Sequence, residues 1–263
     1  MVLVCGRDCE QRKKFSRYRH FASGLRNENW INVSGVHLRI IYRDEHLVVV
    51  DKPAGFHVHP PEDTAHKISK NQNCLYLLGK QLNAYLYPVH RLDRATSGVL
   101  IFALSSEAAS GLAAQFKKRE VKKTYYCVVR GWIAERGSVD RPLEPMKDAL
   151  THFEKLATLE IAEPVGKFAT ARYSLVKVEP VTGRMHQIRK HLSGISYPLL
   201  GDSVYGDGRH NRFFREKFGI SGLFLKASAL DFVHPITGKR HLIHSRWGGA
   251  WHRVFDLFGV CPF

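Results

Sequence analysis

The sequence predicts an α+β fold in which helices flank a mostly antiparallel, mixed β-sheet. Segments typical of strands arrive in runs along the chain, and helical segments separate only some of them. A regular alternation of strands and helices, which would indicate a parallel sheet, is absent from the sequence. With 263 residues, of which 44% are apolar, the chain is long and apolar enough to bury a sizeable core.

The first predicted elements are two short strands at residues 38–42 and 46–50, separated by the polar residues 43–45. Pro53 and Gly55 follow the second strand. Proline has no N–H to donate to a ladder and glycine permits a tight turn, so the strand is expected to end here.

The middle of the chain predicts a buried strand, a helix and a further strand. The apolar residues 99–104 form the first strand, and residues 124–130 form the second. Between them, a helix capped by Ser105 or Ser106 runs to about Arg119. Its apolar face consists of Ala108, Leu112 and Phe116. Its C-terminal cations suit the helix dipole, so the helix alone accounts for the basic cluster Lys117, Lys118 and Arg119.

Residues 149–162, 168–179 and 223–232 predict the remaining strands, with glycine-rich loops between the elements. A short helix is expected after Gly183 and ends at Gly194. The side chains that we expect to face inward from this helix are Met185, Ile188 and Leu192.

The chain is strongly basic, which makes nucleic acid the expected class of partner. Forty Lys and Arg residues face twenty-four Asp and Glu residues, giving a formal charge of +16 and an isoelectric point near 9.8. Such an excess attracts polyanions and speeds their association. Residues 1–36 form a basic N-terminal extension, either an arm that lies along phosphates or a flexible segment. Residues 37–263 form the globular domain.

The sequence predicts a cytoplasmic protein with reduced thiols. Its five cysteines contain no C-x-x-C pair, and Cys5 and Cys9 lack a matching downstream pair that would complete a zinc site. An odd and scattered set is typical of cytosolic proteins. The N-terminal apolar stretch is too short for a signal peptide, and no apolar run approaches the length of a membrane span.

The segment from His90 to Gly98 places one carboxylate, Asp93, between Arg91 and Arg94 and just before a buried strand. Loops on such rigid strand edges commonly carry functional residues. A salt-bridged turn would have the same composition, since surface ion pairs are common. From the residues alone, both interpretations remain open.

This segment resembles the H-R-L-D-x-x-T-S-G signature of the RluA-type pseudouridine synthases, and it matches at all seven specified positions. Three further stretches occur in the family's order: residues 41–55 with their Lys-Pro-x-Gly turn, Lys123–Tyr125 as K-x-Y, and Thr182–Arg189 as T-G-R-x-H-Q-[IL]-R. The likeness covers roughly residues 38 to 245. It implies a pseudouridine synthase catalytic domain at residues 37–263 with a central RNA-binding cleft.

The resemblance implies a role for each matching residue. Asp93 is the expected catalytic carboxylate, which acts at the ribose while the base is detached, rotated and rejoined through carbon. Whether it attacks the sugar or abstracts a proton stays open. Arg189 is expected to pair with the carboxylate, because a nearby arginine favours its ionised form. Tyr125 is expected to stack on the target base, and Arg91 to enter the RNA where the target nucleotide has turned out.

Within the family, residues 104–108, 129–132 and 201–212 resemble the branch that modifies uridine 65 of tRNA. In the last of these stretches, Arg209 and Arg212 lie in a predicted loop and are candidates for contacts with the RNA backbone. Lys226 is a departure, because many relatives have histidine there. This leaves open any hydrogen-bond network around that strand.

Three other interpretations compete with a tRNA-modifying enzyme. His57-Val58-His59 has the spacing of two metal ligands on one side of a strand, but a lone pair of this kind is a weak signal. A non-catalytic RNA-binding protein has little use for a carboxylate beside phosphates. A pseudouridine synthase that acts on ribosomal RNA is the third. We expect no cofactor and no metal, because the isomerisation is redox-neutral, and we expect a monomer.

Overall fold

A ten-stranded sheet organises the part of the chain that the structure describes, residues 37–59, 72–143, 145 and 147–262 of a computed structural model. The strands are β1 (Arg39–Arg43), β2 (Leu47–Lys52), β3 (Tyr87–Pro88), β4 (Ser97–Ala103), β5 (Lys122–Arg130), β6 (Arg136–Asp140), β7 (Leu150–Ile161), β8 (Ala171–Pro180), β9 (Leu225–Val233) and β10 (Arg240–His244). Their order is β1-β2-β4-β9-β5-β8-β7-β6, with β10 beside β9 and β3 beside β4.

Among these described strands, β4 and β9 form the parallel pair and the other pairs are antiparallel. The predicted α+β class with a mostly antiparallel, mixed sheet is therefore confirmed. The predicted N-terminal extension, residues 1–36, lies outside the described residues, and the boundary at residue 37 stays a prediction.

Five helices accompany the sheet in the described ranges: α1 (Cys74–Leu82), α2 (Ser106–Lys118), α3 (Gln187–Gly194), α4 (Gly208–Phe218) and α5 (Gly249–Phe258). None of them is both long and apolar enough to cross a bilayer. The predicted cap of α2 is confirmed, since the Ser105 hydroxyl accepts a hydrogen bond from the Ala108 N–H at 3.2 Å. The helix ends at Arg119 in the left-handed conformation, with φ of 64°.

Two local predictions were wrong. Residues 201–212 were expected to form a loop, but α4 begins at Gly208 because the Asp207 side chain accepts a hydrogen bond from the Arg209 N–H. Arg209 and Arg212 therefore lie on a helix. Met185 was expected to face the core, but α3 begins only at Gln187, so Met185 precedes the helix and is 50% exposed.

The central strands bring the halves of the chain together at one point. β9 lies between β4 and β5, and Ala227 pairs with both Gly98 and Tyr125. Gly98 has φ of +119°, and a Cβ at this position would overlap the backbone of Ala227. Glycine is required here because the two backbones approach too closely for any side chain. The loop that carries Asp93 is thereby fixed one strand away from Tyr125.

Candidate active site

A cleft of about 720 Å³ opens where the sequence motifs around Asp93, Tyr125 and Arg189 meet. Three segments form its walls: residues 89–96, the end of α2 with the start of β5, and residues 180–189. Asp93, Tyr125, Arg189 and Arg91, all predicted as site residues, line this cleft. Three segments that are distant in sequence are thus brought to one place.

The carboxylate of Asp93 faces the guanidinium of Arg189, whose Nη1 lies 3.4 Å from the Asp93 Oδ2. The side chain of Asp93 is 18% exposed, whereas Arg189 is buried. We predicted that Arg189 pairs with Asp93, and the geometry agrees.

Arg189 is buried because a second carboxylate holds it. Its Nε and Nη2 donate to the two carboxylate oxygens of Asp202 at 2.7 and 2.9 Å, and Asp202 has no exposed side-chain surface. Burial alone would raise the pKa of Asp202, but hydrogen bonds from Arg189 and from the N–H groups of Tyr205 and Val204 outweigh it and lower the pKa. This forked pair leaves Nη1 for Asp93.

Tyr205 and His186 complete the surroundings of this pair. The guanidinium of Arg189 lies over the Tyr205 ring, 5.1 Å from its centroid. The Tyr205 hydroxyl is 3.1 Å from Nδ1 of His186, whose Nε2 is 3.9 Å from the Asp93 carboxylate. Burial lowers the pKa of His186, and the negative charge of Asp93 opposes that shift. Sequence reasoning assigned no role to Asp202, Tyr205 or His186.

Tyr125 lies on β5 directly after an irregularity in its pairing with β9, between Thr124 and Tyr125. Burial raises the pKa of Tyr125, and the nearby charge of Asp93 raises it further. The phenol is therefore neutral in the physiological range. Tyr126 packs on the other face of the strand, edge to face with Trp247 at 5.2 Å.

The turn after β2 anchors the loop that carries Asp93 through hydrogen bonds to the backbone of Arg94. The fully buried Lys52 donates to the carbonyl groups of Pro53, Phe56 and Arg94 at 2.9, 2.7 and 3.1 Å. The Gly55 N–H also donates to the Arg94 carbonyl, at 2.8 Å. Burial lowers the pKa of Lys52 to about 8. The Lys-Pro-x-Gly turn therefore acts on the site by fixing the loop.

His90 anchors the same loop from the other side. Its Nε2 accepts a hydrogen bond from the Ile101 N–H at 3.0 Å, and its ring stacks on Phe116 with centroids 4.8 Å apart. Burial, with a smaller contribution from the charge of Lys123, lowers the pKa of His90 to about 3. His90 is therefore a neutral acceptor, and Leu92 packs into the core cluster beneath the loop.

The ionisable side chains that line the cleft are mostly cations. Asp93 is the one carboxylate among the described lining residues, and the Lys and Arg residues of the lining are Arg91, Lys117, Arg119, Lys123, Lys147, Arg184 and Arg189. Arg209 and Arg212 do not occur among these lining residues. Arg209 instead pairs with Asp207 at 3.2 Å. A contact of either arginine with RNA stays a prediction.

Lys226 lies on β9 beside Tyr126, on the face of the sheet that points away from Tyr125. Its ammonium is 3.4 Å from Asp51, which also accepts a hydrogen bond from Ser245 at 2.7 Å. The network around this departure from the family pattern is thus a buried ion pair. In the described part of the chain, no three His, Cys, Asp or Glu side chains form a metal-binding group.

Comparison with known proteins identifies the family. The model of the RNA pseudouridylate synthase family matches residues 46–194. The chain is 41% identical to the tRNA pseudouridine synthase C proteins of Vibrio vulnificus and Yersinia pestis, over 84% of its length and 95% and 91% of theirs.

Two solved human structures share the fold. RNA pseudouridylate synthase domain containing 4 superposes with a TM-score of 0.63 at 24% identity, covering 84% of this chain and 93% of that one. RNA pseudouridylate synthase domain containing 1 superposes with a TM-score of 0.60 at 23% identity, covering 84% of this chain and 94% of that one. The matching fold, the family model and the curated relatives agree, and this chain belongs to the RNA pseudouridylate synthase family.

Proposed function

We propose that this protein isomerises uridine 65 of tRNA, with Asp93 as its catalytic carboxylate. Two kinds of support favour tRNA as the substrate. The relatives at 41% identity are named as tRNA pseudouridine synthases, and residues 104–108, 129–132 and 201–212 resemble the branch that modifies this position.

The observation that carries the catalytic assignment is the pairing of Asp93 with Arg189 at 3.4 Å, inside a cleft where Asp93 is the one carboxylate among the described lining residues. In the reaction the uracil separates from the ribose, turns, and rejoins the sugar through carbon, with no net oxidation or reduction. Asp93 acts at the ribose in this scheme. The forked contact with Asp202 fixes Arg189, and Arg189 in turn orients the carboxylate.

Tyr125 and Arg91 are the proposed contacts of the extruded nucleotide. The neutral phenol of Tyr125 offers a π-face that holds the detached base without a covalent bond, and such stacking contributes about 1–3 kcal/mol per base. Arg91 is exposed at the cleft wall, and we assign its guanidinium to the gap that the extruded nucleotide leaves in the RNA. Filling that gap offsets part of the cost of extrusion, a few kcal/mol.

The test combines one substitution with mapping of pseudouridine in cells. We expect that deleting the gene removes pseudouridine at tRNA position 65, that wild-type protein restores it, and that Asp93→Asn does not. Asp256→Asn is the matched control, because it changes an exposed aspartate of α5 in the same way. Restoration by Asp93→Asn would contradict the catalytic assignment. Loss of a ribosomal site with tRNA unchanged would contradict the substrate.

A further inference from the structure

The C-terminal end of α2 carries three cations, Lys117, Lys118 and Arg119. We propose that Lys117 and Arg119 form an edge of the cleft that binds the phosphate backbone of the RNA substrate. The inference rests on the proposed function and assigns it a contact surface. Cations at a helix C-terminus complement the helix dipole whatever their direction, so the case depends on what the structure adds to that explanation.

The first observation that the helix dipole does not explain is which of the three cations border the cleft. Lys117 and Arg119 line the cleft that contains Asp93, whereas Lys118 does not, although it lies between them and is also exposed. The dipole affects all three charges in a similar way. It gives no reason for two of them to border the cleft.

The second observation is that Lys117 and Arg119 have no counter-charge among the described residues. Within the described part of the chain, neither Lys117 nor Arg119 forms a side-chain ion pair or hydrogen bond. Other exposed arginines do, since Arg136, Arg172 and Arg240 each contact a carboxylate at 2.6–2.9 Å. The charges of Lys117 and Arg119 at the end of α2 therefore remain available for a phosphate.

Crowding of like charges at this edge supports the same conclusion. Lys123 lies in the same lining and donates to the Thr182 carbonyl at 2.9 Å. Burial, together with the charge of Arg119, lowers the pKa of Lys123 to about 8. Placing cations close together without a carboxylate raises the energy of the free protein, and an anionic ligand relieves this repulsion.

The third observation is the unfavourable backbone conformation of Arg119. Its φ of 64° and ψ of 26° lie in the left-handed region, which favours glycine. Helices α4 and α5 end in nearly the same conformation at Gly219 and Gly259, with φ of 63° and 65°. An arginine at this position therefore costs backbone energy that glycine would avoid. Strained positions of this kind cluster at functional sites.

These features suit an RNA backbone better than an acidic protein segment. The target nucleotide must enter the cleft to reach Asp93, so the phosphates that flank it pass the cleft walls. Arg91 lies on the wall formed by residues 89–96, and Lys117 and Arg119 lie on the wall formed by the end of α2. Phosphate contacts from both walls would hold the nucleotide in register over the carboxylate.

The experiment compares Arg119→Gly, Lys117→Ala and the matched control Lys118→Ala, which removes a charge from the same helix end outside the cleft. Dissociation constants for tRNA are measured between 50 and 300 mM salt, together with the melting temperature. Losing one phosphate contact lowers the salt slope by about 0.7–0.9, which corresponds to about fivefold to eightfold weaker binding at 0.1 M salt.

We expect this loss for Arg119→Gly and for Lys117→Ala, and a change of less than about twofold for Lys118→Ala. Arg119→Gly should melt at the same or a higher temperature, because glycine relieves the backbone strain. Equal effects of all three changes, or unaltered tRNA binding by Arg119→Gly and Lys117→Ala, would overturn the inference alone. A wild-type protein that neither binds nor modifies tRNA would overturn the proposed function as well.

Discussion

Replacing Asp202 by asparagine tests whether the buried ion pair with Arg189 controls the proposed catalytic carboxylate, Asp93. In the wild type, the Arg189 Nε donates a hydrogen bond to the Asp202 carboxylate at 2.7 Å. Asparagine keeps one side-chain oxygen, but its amide nitrogen would face this Nε, and two donors cannot form a hydrogen bond. A buried guanidinium then lacks its main counter-charge, and only Asp93 at 3.4 Å remains. Breaking a buried pair in this way costs about 3–5 kcal/mol. A displacement near 1 Å at a reacting group lowers the rate by about 100-fold.

Urea unfolding measures the loss of stability. Single-turnover pseudouridine formation measures the loss of rate, under conditions where the variant is folded. Asp231→Asn is the matched control, because Asp231 also holds an arginine through two contacts, to Arg240 at 2.7 and 2.6 Å. That pair is at the surface, where Arg240 is 67% exposed, so its loss should cost about 1 kcal/mol or less. Equal costs for the two variants would refute the reasoning from burial, and an unaltered rate for Asp202→Asn would refute the control of Asp93 by Asp202.

Three further predictions follow from the anchors of the site. In the folded protein the pKa of His90 is lowered to about 3, so as the pH drops below about 6.5 the unfolded chain binds the proton first and the folded state loses stability. Urea unfolding between pH 7 and pH 4 should therefore show that the wild type loses about 2–4 kcal/mol more of its free energy of unfolding than His90→Gln does. Gly98→Ala should destabilise by more than about 3 kcal/mol in thermal unfolding, whereas Gly208→Ala, with open space around it, should stay within about 1 kcal/mol. Tyr125→Phe should bind tRNA as wild type does, because stacking survives, and a slower single-turnover rate would reveal a step that needs the hydroxyl.

Local signals in the sequence predicted most of the elements around the site. Ser105 and the apolar spacing of Ala108 and Leu112 fixed the start and the buried face of α2, because capping and helical periodicity involve neighbouring residues only. The same reasoning missed α4. Its sequence is mostly polar and follows several glycines, and Phe214 is buried there by tertiary packing. The cap residues Asp207 and Gly219 were the available signals.

The residues that hold the site together were harder to predict than those that form it. Asp93, Tyr125 and Arg189 stand in motifs, whereas Asp202 stands in a stretch that we interpreted as a loop. Its pairing with Arg189 depends on how the segment after α3 folds back, which no local pattern determines. The inward orientation expected for Met185 failed for a related reason, since a helical spacing has meaning only where the helix exists.

The position of β9 in the sheet determines when the two sides of the cleft can come together during synthesis. Asp93 precedes β4 and Tyr125 lies on β5, yet these strands meet only through β9, which follows both of them in the sequence. A chain still emerging from the ribosome lacks this strand and holds its two halves apart. Contacts between such distant segments form slowly. The cleft therefore assembles only after β9 has been made, and chains that lack this strand do not bring Asp93 and Tyr125 together.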